Sequence, residues 1–142
     1  MFITSTPPTS LVYTLQFGSP TITLSDSTTY YVGTSVVAAQ TVANILSIPI
    51  PKGGTIVYAD IGFTSAAPGT SETFSAYIRI NNTTDVLISS SLTITANGQR
   101  FSNSALAQAV VAGDFFEVKV VTPAWATNPT TIRIYGTIMI QV

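Results

Sequence analysis

The strongest constraint in this sequence is a period of two. In "ETFSAYIRIN", residues 72–81, Phe74, Ala76, Ile78 and Ile80 are apolar, while Thr73, Ser75, Tyr77 and Arg79 occupy the alternate positions. Successive side chains of an extended chain point to opposite sides, so this pattern specifies a half-buried β-strand. "GTIVYADIGFT" repeats the pattern, with Val57, Ala59, Ile61 and Phe63 as the expected core face. The runs "LVYTLQF", "TTYYVG", "NILSIPI", "DVLISSSLTIT", "DFFEVKVVT" and "TIRIYGTIMIQV" are rich in β-branched and aromatic residues and bring the expected total to about eight or nine strands.

Turn residues separate these runs at Pro51 to Gly54, residues 66–71, Asn81 to Asp85, Asn97-Gly98, Gly113-Asp114 and Pro123 to Pro129. Asn97-Gly98 is the strongest hairpin signal, because both residues tolerate the positive φ of a type I′ turn. Two Ala-rich stretches, 34–43 and 104–112, lack the cap and stop of a helix. Pro7-Pro8 and Pro20 mark residues 1–25 as an extended N-terminal arm or edge strand. Residues 26–142 are expected to form one antiparallel β-sandwich, of sandwich, jelly-roll or small-barrel type.

Composition narrows the function. With 142 residues there is enough chain for one core. Only 8% of residues are charged, 46% are hydrophobic, and roughly a quarter are Ser or Thr. A net charge of −1 with no basic run gives nucleic acid nothing to hold. The uncharged stretch 27–51 is interrupted by Gln40, Thr41, Asn44, Ser47 and Pro49, which argues against membrane insertion. No signal peptide is recognised at the N-terminus. A neutral, apolar surface favours association, so the chain reads as a subunit that hides surface against copies of itself.

There is no histidine and no cysteine, which removes the usual general base, thiolate nucleophile and metal ligands. Asp26, Asp60, Glu72, Asp85, Asp114 and Glu117 are scattered through turns and strand ends. They read as turn residues before a paired-carboxylate catalyst. The chain is therefore expected to be no enzyme and to need no cofactor or metal. "NNTT" at 81–84 fits the glycosylation pattern but reads as a polar turn. "TPAWATNPT" holds the sole tryptophan; Trp125 with Asn128 is a candidate glycan or receptor contact if the indole is exposed, against the favoured reading of a Trp that caps the end of the sandwich or packs at a subunit contact.

Two arginines sit inside strands, each beside a tyrosine: Tyr77-Ile78-Arg79 and Arg133-Ile134-Tyr135. Either could pair with Glu117. Arg and Tyr are enriched at protein interfaces, so Tyr77, Arg79, Glu117, Arg133 and Tyr135 are the candidate subunit contacts, against the simpler reading of solvated cations.

From "TTYYVG" to "GTIMIQV" the chain resembles the jelly-roll modules of phage virion surfaces, in capsid decoration proteins, head fibres and tail-fibre tips. The residues that carry this are "IPIPKGGTI", "SAYIRINNTTDVLI" and "FSNSALAQAVVAGDFFEVKVVTPAWATNPTTIRIYGTIMI". A looser likeness is to trimeric tumour-necrosis-factor and C1q-type jelly rolls. The resemblance implies a homotrimer with a passive structural or adhesive role on the virion surface, assembled in the host cytoplasm. Its implied partners are further copies, the major capsid protein and, in a fibre tip, a host-surface glycan or receptor.

Overall fold

The computed structural model describes residues 10–34 and 36–142, and among them every regular element is a strand. The ten strands are β1 (Val12–Ile22), β2 (Thr29–Val32), β3 (Ile48–Pro49), β4 (Gly54–Ala67), β5 (Thr73–Ile80), β6 (Thr84–Thr93), β7 (Gln99–Asn103), β8 (Gln108–Val110), β9 (Phe115–Val121) and β10 (Thr130–Gln141). They form two five-stranded antiparallel sheets. The first has the order β1-β10-β4-β7, with β8 also on β4; the second has the order β2-β9-β5-β6, with β3 also on β9.

The order follows from wrapping one long antiparallel hairpin around itself. The outermost strands β1 and β10 pair, then β2 with β9, β4 with β7, and β5 with β6 at the tip. Rolling that ribbon brings β10 against β4 and β9 against β5, which closes the two sheets of a jelly roll. The inner faces meet in a single apolar core that includes Phe63, Phe74, Phe116, Ile78, Ile134 and Ile138. The even positions of β5 are all buried, as their alternation requires.

In β4 the alternation is broken once. Met139 faces Tyr58 but Ile140 faces Ile56, so Val57 is an extra residue on the β4 side. This bulge flips the parity: Ile56 is fully buried and Val57 only half-buried, although strict alternation would have placed Val57 inside. The Asn97-Gly98 expectation also fails. β6 and β7 belong to different sheets, so this segment is a crossing between layers and closes no hairpin. The tight hairpin is β5–β6, where Asn81 and Asn82 take φ of 49° and 57°.

The stretch expected as an arm divides in two. Residues 1–9 lie outside the described residues, whereas Val12–Ile22 is β1, paired with β10 and anchored by the buried Phe17. Pro20 is accommodated because it falls at the register shift between Ser19 and Ile22. The Ala-rich stretches hold no helix: 104–112 contains β8, and the described part of 34–43 is loop.

Candidate interaction surfaces

The sandwich has two outer faces, and the sequence-derived candidates divide between them. Tyr77, Arg79 and Glu117 lie on the outside of the second sheet, in β5 and β9. Arg133 and Tyr135 lie on the outside of the first, in β10. The five residues therefore cannot form one patch within a subunit.

On the second sheet, register builds two rows. Tyr31, Lys119 and Tyr77 stand side by side across β2, β9 and β5, and Glu117, Arg79 and Asp85 form the next row across β9, β5 and β6. Arg79 is directly opposite both carboxylates, but its ion pair is with Asp85, at 2.7 Å. It also donates from Nε to the Asn82 side chain at 3.0 Å and from Nη2 to the Asn82 carbonyl at 2.7 Å. The left-handed turn residue thus shapes the hairpin and holds the guanidinium. Lys119 Nζ lies 2.6 Å from the other Asp85 oxygen and 5.5 Å from the Tyr77 ring centroid.

Glu117 is spent elsewhere. It is 1% exposed, and both carboxylate oxygens accept the Asn44 N–H, at 2.9 and 3.1 Å. The loop from Gly33 to Ser47 leaves the edge of the second sheet between β2 and β3 and is fastened by this contact. Burial raises the Glu117 pKa above the ordinary carboxylate range, although the Asn44 N–H and the Arg79 charge oppose the shift. Asp85 also loses hydration, but hydrogen bonds from Lys119 and Arg79 outweigh that loss and hold its pKa below the ordinary value.

On the first sheet, Tyr135 lies over Gly62, and a Cβ at Gly62 would collide with its ring. The Arg100 guanidinium sits 5.4 Å from the ring centroid and 3.2 Å from Asp60. Asp60 is nearly buried and also accepts the Thr137 N–H and the Tyr58 hydroxyl. Arg133 is exposed and has no ion-pair partner among the described residues. Shallow clefts of about 260 and 230 Å³ flank Tyr135, one reaching Ser19 and Arg133, the other Gln16 and Arg100.

Trp125 is in the core. It is 9% exposed, and its indole N–H donates to the Thr73 carbonyl at 2.7 Å. The loop around it is tied down by buried Glu72, which accepts the N–H groups of Ala126 and Thr127. Asn128 is exposed, so the two residues offered as a glycan contact do not present a common platform. Asn81 of the "NNTT" turn is engaged too: its amide donates to Asp114 at 2.8 Å and accepts the Phe115 N–H. Asp114 in turn accepts the Val111 N–H, the turn role expected of Gly113-Asp114.

Sequence reasoning took Asp85 and Asp60 for turn residues and did not join Asp85, Lys119 and Tyr31 to Arg79 on one face, or Asp60 and Arg100 to Tyr135 on the other. Asp85 was within reach, since a short turn after Ile80 brings it opposite Arg79. Asp60 and Arg100 meet only through the long-range β4–β7 register, which no local pattern announces.

No protein-family model matches the sequence, and no curated protein matches it. Among solved structures, the chain is similar to one described as the structure of infectious bursal disease virus Gx strain, at 13% identity with a TM-score of 0.49. The match covers 95% of this chain and 33% of that one, so the chain spans about a third of the length of its structural neighbour.

Proposed function

We propose that this protein is a non-enzymatic structural subunit of a virus, acting on a phage virion surface as a homotrimeric capsid decoration or head-fibre protein. The observation that carries the reading is how charge and apolar surface are distributed. Three of the five cations, Arg79, Arg100 and Lys119, are neutralised within the subunit. Five of the six acidic residues, Asp60, Glu72, Asp85, Asp114 and Glu117, accept hydrogen bonds that fasten loops and strands, which supports a structural role for them. Meanwhile Val36, Val42 and Ile45 project from the loop on the second sheet, 83%, 59% and 58% exposed.

Burying such side chains is worth about 1.5–3 kcal/mol each at full burial, which rewards a neighbour that covers them. Arg133 and Tyr135 provide a second contact on the opposite sheet. Two different patches on different faces suit a head-to-tail contact, which closes into a ring, here a trimer. The ring then adds burial where it meets the major capsid protein, with linkage as the whole mechanism. Val42→Asp and Arg133→Glu are each expected to shift the protein to monomer in light scattering without unfolding it. A variant that keeps the parental mass removes its patch from the contact.

The alternative, a receptor- or glycan-binding tail-fibre tip, has the two clefts beside Tyr135 in its favour. Each is smaller than the roughly 300 Å³ at which enclosed ligand sites begin, so the fit is to an exposed chain end or sugar ring. Binding to host cells that survives Tyr135→Ala would count against that site.

A further inference from the structure

Each sheet edge carries main-chain N–H and C=O groups that invite another strand. Among the described residues, three of the four edges are blunted. β6 is bent by register shifts on both sides of Ala76 and by Ser91 at φ 55°. β7 and β8 are short, with five and three residues. β2 has four residues, and Gln40 caps it by exchanging both main-chain hydrogen bonds with Tyr31.

β1 has none of these protections along its first half. It is eleven residues long, its register is regular from Val12 to Ser19, and no residue from Met1 to Ser25 is charged. Leu11 and Val142 exchange both main-chain bonds, which turns the odd residues of β1 toward β10 and the groups of Val12, Thr14 and Gln16 outward. Gly18, next in that series, shows the outward direction by donating its N–H to the Gly33 carbonyl at 2.9 Å. Among the described residues, no strand pairs with β1 on that side. Leu11 and Val12 are 62% and 48% exposed there, and Tyr13 and Leu15 are only partly buried at the rim of the core.

We infer that this edge pairs with β1 of a second copy, antiparallel across a two-fold axis. An antiparallel strand is complementary to itself under a two-fold, since each outward N–H meets the partner's C=O. A neutral strand meets its copy without like-charge repulsion, and a charged partner would find nothing on it to pair with. The contact also covers the Tyr13 and Leu15 rims of both copies and merges two five-stranded sheets into one. The inference rests on the self-association reading above and extends it: the two-fold joins one trimer to the next.

The experiment is amide hydrogen exchange of the full chain across a dilution series, with light scattering on the same samples. Expected are protection factors of at least about tenfold at Val12, Thr14 and Gln16 that fade on dilution. Thr14→Pro removes an outward donor while sparing the bonds to β10, and should halve the largest mass. Thr14→Lys with Gln16→Lys tests the same edge by repulsion, without a backbone change. A trimer whose outward amides exchange freely overturns the β1 pairing and leaves the trimer standing. A monomer at all concentrations overturns both, whether or not its outward amides are protected.

Discussion

Arg79 and Asp85 face each other across the β5–β6 hairpin with Nη1 2.7 Å from Oδ1, and the same carboxylate holds Lys119 with its second oxygen. The arginine in the apolar strand is thus answered from within its own hairpin. Asp85→Asn leaves Arg79 held only by its two Asn82 contacts and makes it share one neutral acceptor at position 85 with Lys119. The expected loss is about 1 kcal/mol in chemical denaturation, discounted for the exposure of the pair. A much larger loss would show that Asp85 supports more than these contacts.

The pH dependence of stability has two opposed parts. Asp85, with its pKa depressed in the folded state, contributes stability above the ordinary aspartate pKa, and this is lost as pH falls through the folded value. Glu117, with its pKa raised, does the reverse: the unfolded chain ionises first, so stability falls as pH rises from the ordinary glutamate pKa to the folded value, then levels off. Glu117→Gln should therefore match the parent near pH 3, below the Glu117 pKa of both the unfolded and the folded chain, and gain on it toward neutrality. Melting curves of the two proteins across that range check this; a constant difference would contradict the raised pKa.

Two glycine substitutions separate steric from backbone strain. A Cβ at Gly136 would drive into the Asp60 carbonyl and the Phe17 ring at the centre of the first sheet. Gly136→Ala should cost about 2–3 kcal/mol or prevent folding. Gly113 has open space around it but a φ of 94°, so Gly113→Ala should cost only about 1 kcal/mol, through backbone strain alone. Urea titrations that rank the two in the opposite order would contradict the packing described.

Trp125 gives a direct optical check. As the sole tryptophan, with its ring in the core, it should emit at short wavelength when folded and resist acrylamide quenching. Trp125→Phe orphans the Thr73 carbonyl and should cost about 1–3 kcal/mol. A red-shifted, readily quenched emission would place the indole outside.

Alternation made the core legible. Phe74 to Ile80 and Ala59 to Phe63 read correctly, because one buried face writes its period into the sequence. Val57 did not, since a bulge is a property of the pairing with β10 and leaves no local mark. Asn97-Gly98 misled for a related reason: jelly-roll connections cross between layers, so local turn chemistry need not join neighbours in a sheet. The candidate residues were recognisable by type, but their division between opposite faces depended on sheet order, which no single strand contains.

The central claim is that this chain works as an assembled structural subunit, and its most direct test is the mass in solution. Multi-angle light scattering should give three times the 14.9 kDa of the chain, or multiples of that unit at high concentration. A single species at the mass of one chain, across the accessible concentrations, would contradict it.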